Sequence, residues 1–250
     1  MRVHFIIHEA YEAIGAYETW VRDRGHHGTC SRVHAREPLP RTAEGIDLLV
    51  VMGGPQSPTT TIEECPHFDA AAECALIAAC IAAGKAVVGV CLGAQLVGTA
   101  LGAAHEASPE KAIGNFPVTL TPEGRANARF AGFGDALVSG HWHSDMPGLT
   151  AGAKVIARSE GCPRQIIEYD DLVYGFQCHM EFTPAVVEML IAASGDGLAR
   201  LSGHRFVQSP EVLRANTYDD MNRRLFTFLD RLMQAYAAKL SARMPAVPRG

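Results

Sequence analysis

The chain has 250 residues, 48% of them hydrophobic and 20% charged, enough to bury one large core and a small appendage. A net charge of −5 with no basic stripe argues against nucleic acid as a partner. Seven cysteines, an odd number without framework spacing, read as reduced thiols, and eleven histidines form no metal pattern, so neither a metal nor another cofactor is expected.

The stretch Met1 to Glu9 has too short an apolar run for a secretory leader. Nothing approaches the roughly 18 apolar residues of a spanning helix, so a cytoplasmic location without membrane contact is expected. Val3 to Ile7 reads as a buried strand. Ala10 to Arg24 has helical spacing (Ala13, Ala16, Tyr17, Trp20, Val21), with Gly25 as its stop. Cys30 to Ala35 is expected as a second strand and Asp47 to Met52 as a third, ending at Gly53-Gly54-Pro55. Asp69 to Ala83 predicts a helix closed by Gly84, followed by a strand from Lys85 to Val90 and a helical run from Leu96 to Leu101. Alternating helices and nearly continuous apolar strands predict an open, mostly parallel sheet covered on both faces.

Further on the texture changes. Asn115–Leu120, Ala136–Val138 and Lys154–Ala157 predict short strands between Gly/Pro turns, a small antiparallel patch. Gln165–Tyr169 and Val173–Gln177 read as a hairpin around Asp170-Asp171. Pro184 to Ala193 predicts a helix capped by Thr183, and Thr217 to Leu240 a long one. One domain over 1–193, a helical extension over 194–243 packed on it, and a flexible tail over 244–250 are expected.

Chemistry concentrates at Gly89-Val90-Cys91-Leu92-Gly93-Ala94-Gln95. A Gly-x-nucleophile-x-Gly between strand and helix marks a nucleophile elbow, here with cysteine. The helix that follows points free N–H groups at the thiol, favouring thiolate and offering donors to an oxyanion. A base and its orienter are available in His179-Met180-Glu181. In extended chain, residues i and i+2 share a face, so imidazole and carboxylate point together, while Cys178 turns to the core. Gly53-Gly54 leaves exposed N–H groups at a strand's carboxyl end, where open α/β sheets bind ligands.

Gly53-Gly54-Pro55, the Cys91 elbow and His179-Met180-Glu181, in this order, resemble the class I glutamine amidotransferases. The likeness spans roughly residues 45 to 190 and is nearest to free-standing, GMP-synthase-like glutaminase domains. The elbow alone fits other cysteine proteins; the His-x-Glu about 90 residues later distinguishes this family. The resemblance implies a flavodoxin-like fold and release of ammonia from L-glutamine through a Cys-His-Glu triad and a γ-glutamyl thioester. Cys91 would be the nucleophile, His179 the acid and base, and Glu181 its orienter. Gly54 and Leu92 would supply the oxyanion N–H groups. Gly53, Gln95 and the segment His141-Trp142-His143 would hold the substrate. That triplet is usually followed by Gly-Asp in the subgroup; here it is Ser144-Asp145.

Three readings stay open. In the first, glutamine is hydrolysed and its ammonia passes to a separate synthetase subunit or to water. A γ-glutamyl peptidase would use the same triad on glutathione-like conjugates, since the acyl half is identical. A catalytically silent regulatory homologue is the third, and the intact Cys91, His179 and Glu181 weigh against it.

Overall fold

The computed structural model describes residues 1–243 and joins ten strands into one sheet. The first part alternates as expected: β1 (Arg2–Ile7), α1 (Ala16–Asp23), β2 (His27–Arg32), β3 (Leu48–Val51), α2 (Ala70–Ala82), β4 (Ala86–Val90) and α3 (Leu92–Ala100). These four strands are parallel, in the order β4–β3–β1–β2. Next come β5 (Glu106–Leu120), α4 (Pro122–Ala126), β6 (Ala136–Met146), β7 (Lys154–Arg158), β8 (Ile166–Asp170) and β9 (Val173–Phe176). β9 lies parallel to β4, and the β5–β8 strands build an antiparallel extension beyond it. The chain continues through α5 (Pro184–Ser194), α6 (Gly197–Arg200), β10 (Phe206–Val207), α7 (Pro210–Ala215) and α8 (Asp219–Arg243). This is a mostly parallel sheet with an antiparallel patch, flanked by helices.

Strand alternation explains the continuous apolar runs. On one face Phe5, Val50, Val88 and Val90 pack against Trp20 of α1 and Phe228, Leu232 and Tyr236 of α8. On the other, Ile6, Leu49, Val51 and Val87 meet Leu76 and Ile77 of α2 and Leu96 and Val97 of α3. Both faces are dry, so every residue of β3 and β4 is apolar or glycine. Helix α8 buries Met221, Leu225, Phe228, Leu229, Leu232 and Tyr236 at three- and four-residue spacing. Asp69 and Thr183 cap α2 and α5, the latter as its sequence predicts.

Several elements differ from the sequence reading. The helix expected from Ala10 begins at Ala16, because Gly15 sits at φ +53° and breaks the turn. There the Ala16 N–H donates to the Glu181 carbonyl at 2.9 Å, and a Cβ on Gly15 would lie 2.2 Å from that oxygen. Residues 10–15 are instead a loop drawn to the rim where Glu181 sits. The second strand runs His27–Arg32, in residue-by-residue register with β1, and Val33–Ala35 form a 3₁₀ turn. The segments near Asn115 and Ala136 belong to the long strands β5 and β6, which pair over most of their length. The extension after residue 193 also returns β10 to the sheet beside β5. The tail expected over 244–250 lies outside the described residues.

One contact joins sheet and helix most tightly. A Cβ at Gly93, in the first turn of α3, would stand 2.0 Å from the Val51 carbonyl oxygen of β3. Alanine would normally favour a helix by about 1 kcal/mol over glycine. Gly93→Ala is nevertheless expected to destabilise the protein by about 3 kcal/mol or more in denaturant titration, because backbone must move.

Candidate active site

Cys91 lies between β4 and α3, at φ +52° and ψ −110°, and its N–H donates to the Phe176 carbonyl of β9 at 2.7 Å. Among the described residues only Arg36 is another non-glycine with positive φ. The surroundings hold the turn: a Cβ on Gly89 would lie 2.3 Å from the Gly93 carbonyl oxygen. Both elbow glycines are therefore required by space. The thiol makes no capping bond to its own helix and is directed at the Trp142 carbonyl, 3.8 Å from Sγ.

His179 follows β9 and is locked to β6 by reciprocal backbone bonds with Gly140, at 2.7 and 3.0 Å. Its Nδ1 lies 2.7 Å from Glu181 Oε1, both side chains are buried, and Phe182 stacks on the ring at 4.3 Å. The i, i+2 projection expected for extended chain is realised. Among the described residues Nε2 meets no nitrogen or oxygen partner and is left to the Cys91 sulfur. Burial alone would lower the imidazole pKa, yet the Glu181 carboxylate and the Cys91 sulfur outweigh it and hold the pKa well above the usual histidine value. Cys178 turns the other way. It is buried against the Gln165 carbonyl, and burial pushes its thiol up to about 12.

Gly53 and Gly54 end β3 beside the elbow. A Cβ on Gly54 would meet Gln56 Oε1 at 2.5 Å, Leu92 at 2.9 Å and His8 at 3.0 Å; one on Gly53 would meet Glu12 Oε2 at 2.7 Å. The Gly53 carbonyl oxygen lies 2.8 Å from His8 Nδ1, and His8 Nε2 lies 2.9 Å from Glu73 Oε2. Leu92, the first residue of α3, is fully buried.

A cavity of about 360 Å³ opens beside Cys91, bounded by Gly54, Gln56, Gln95, Trp142, His143 and, from α5 and α6, Ser194 and Leu198. Lys111 and Asp145 also line it. Gln95 is tethered by its amide to Gln177 Oε1 at 3.2 Å, and its own Oε1 is unpartnered. His141 is not at this cavity. Its ring lines a separate space of about 140 Å³ near Phe116 and Phe206. His141 and His143 share the Gln165 amide nitrogen at 3.1 and 3.2 Å. Burial lowers both pKa values, His141 to about 3 and His143 well below its usual value, so both rings are neutral.

Cys91, His179, Glu181, Gly53, Gly54, Leu92, Gln95, Trp142 and His143 thus gather at one sheet rim, and His141 is left apart. Sequence reasoning passed over His8, Glu12 and Glu73. The signal for the first two was a charged cluster directly after an apolar strand, at a sheet's carboxyl edge. Glu73, in an alanine-rich helix, carries no such signal. Among the described residues no group of three His, Cys, Asp or Glu side chains could hold a metal ion, and no helix is long and apolar enough to cross a membrane.

The family model of class I glutamine amidotransferases matches residues 15–193. The glutamine amidotransferase-like protein YfeJ of Salmonella typhimurium is 54% identical over 239 residues, 96% of this chain and all of that protein. Its name states a likeness and no reaction. The crystal structure of SMU.1228c has a TM-score of 0.91 at 47% identity, covering 93% of this chain and 99% of the other. A glutamine amidotransferase from Thermotoga maritima has a TM-score of 0.83 at 25% identity, covering 94% and 98%.

Glu12 adds an unexpected carboxyl to this rim. Burial raises its pKa, with His179 pulling against that rise. A carboxyl whose folded pKa exceeds its unfolded value stabilises fully below the unfolded pKa and less as pH climbs through the folded one. Glu12→Gln is therefore expected to gain stability relative to the native chain between pH 5 and 8. Thermal unfolding of the two proteins across that range measures it; a gap independent of pH would contradict the raised pKa of this half-buried group.

Proposed function

Because the chain belongs to the class I glutamine amidotransferase family, we propose that it hydrolyses the γ-amide of L-glutamine to glutamate and ammonia. The observation carrying this reading is the buried His179–Glu181 contact of 2.7 Å, with the opposite ring nitrogen left open beside the Cys91 elbow.

In this reading the Cys91 thiol passes its proton to His179 Nε2, and the thiolate attacks the γ-carbonyl carbon. The tetrahedral oxyanion is received by the N–H groups of Gly54 and Leu92, each such donor being worth about 3 kcal/mol of barrier. The His179 imidazolium then protonates the amide nitrogen of the intermediate, whose C–N bond breaks to release ammonia. The γ-glutamyl thioester remains, and neutral His179 takes a proton from the water that opens it. Glu181 holds one tautomer and stabilises the imidazolium at each stage. Gln95, with the Trp142–His143 backbone, holds the α-amino-acid end. His141 shares in this only by supporting His143. The reaction belongs in the cytoplasm, its ammonia going to water or to a synthetase subunit.

A γ-glutamyl peptidase is the second reading, and one observation favours it. The cavity also takes in Lys111 and Asp145, which form no ion pair among the described residues. Such a space accommodates a leaving group larger than ammonia. Assays with glutamine and with γ-glutamyl-cysteinyl conjugates separate the two; turnover of the conjugate alone reverses the order.

Cys91→Ala is expected to abolish amide hydrolysis, and a glutamine-mimicking diazoketone to alkylate Cys91 ahead of the other six cysteines. Full activity in that variant would end the covalent mechanism. Glu181→Gln should lower kcat about 10²- to 10⁴-fold. It should also shift the pH profile. Glu181 raises the His179 pKa, so the imidazolium that protonates the amide nitrogen persists to higher pH and is lost as pH rises through that pKa. Without the carboxylate the alkaline limb moves to lower pH. An unmoved limb would place its origin elsewhere.

A further inference from the structure

We propose that His8, clamped by Glu73, is a positioning residue that aims the Gly54 N–H at the reacting centre; this rests on the amide-hydrolysis reading above. His8 directly follows β1 and is fully buried, one strand over from the Gly53-Gly54 turn. Its Nδ1 meets the Gly53 carbonyl oxygen at 2.8 Å and its Nε2 meets Glu73 Oε2 at 2.9 Å. A carbonyl and a carboxylate only accept, so both ring nitrogens carry hydrogen and His8 is an imidazolium. Burial opposes that charge, and the Glu73 carboxylate overcomes it, raising the pKa.

The Gly53 oxygen and the Gly54 N–H belong to one planar trans peptide, and in such a unit they point to opposite sides. Gripping the oxygen from the β1 side therefore sets the direction of the hydrogen on the other side, at the cavity that Gly54 shares with Cys91. The turn needs such a grip because a glycine pair has little torsional preference of its own. A cation on the carbonyl also polarises the peptide and strengthens its N–H as a donor. The Glu73 carboxylate, in α2, has no other hydrogen-bond partner among the described residues, and its Oε1 is unsatisfied. Buried ion pairs add little net stability compared with an apolar pair of similar size. What this one holds explains its place better than what it stabilises.

The test replaces the pair by similar apolar volume, since His8→Leu alone would strand a buried carboxylate. His8→Leu/Glu73→Leu is expected to unfold cooperatively and to lose kcat for glutamine by about 10²-fold, with KM changed less than about twofold. Inhibition by glutamate γ-semialdehyde, which adds the Cys91 sulfur to form a tetrahedral hemithioacetal, should weaken by a similar factor. Alkylation by iodoacetamide, which needs no oxyanion donor, should keep its rate. Glu73→Gln retains a neutral hydrogen bond to His8 and should recover most of kcat. A folded double variant with native kcat and native semialdehyde inhibition overturns the role of His8 alone. A loss shared equally by KM and the iodoacetamide rate also overturns it, as general damage to the site. If the native chain neither turns over any γ-glutamyl compound nor is alkylated at Cys91, the role fails together with the reading beneath it.

Discussion

The molecule is organised around the left-handed backbone at Cys91. A non-glycine residue held at positive φ costs on the order of 1–3 kcal/mol and persists only where its surroundings over-determine it. Here they do so from three sides. β9 accepts the Cys91 N–H, Gly89 allows the returning helix to pass, and Gly93 lets that helix rest on the β3 backbone. The side chain emerges at the start of α3 with helix N–H groups beneath it. Were β3, β4 and β9 not neighbours, this turn would relax.

Two histidine–carboxylate pairs flank the elbow and are used differently. His179 gives one nitrogen to Glu181 and keeps the other open toward the sulfur. His8 has both nitrogens engaged, one on Glu73 and one on the turn that faces the nucleophile. In each, burial penalises the charged ring and the neighbouring carboxylate reverses the outcome. An open nitrogen suits proton transfer; a fully committed ring suits a fixed scaffold. His141 and His143, which lack a carboxylate, respond to the same burial by staying neutral.

The rim is also closed from unexpected directions. Gly15 brings residues 10–15 against the Glu181 carbonyl, which places Glu12 over Gly53. Helices α5 and α6 wall the cavity opposite the elbow. The long pairing of β5 with β6 carries Trp142 and His143 to the cavity while leaving His141 against the smaller space near Phe116 and Phe206. A reading that grouped the two histidines missed that their rings sit against different spaces although they share a face. The two cavities are divided by the Gln165 amide between them.

Local chemistry was enough to determine the apolar strands, the elbow with its glycine spacing, the helix cap at Thr183, and the pairing of His179 with Glu181. Each depends on residues within a few positions of one another, where periodicity, φ preference and i, i+2 projection operate directly. Tertiary structure alone decided the contact of Cys91 with His179, the clamp of His8 and Glu73 on Gly53, the position of Glu12 and the exclusion of His141. Those follow from strand order and from α2 packing on the sheet, so the partners are brought together by burial across long stretches of chain, which no local pattern encodes.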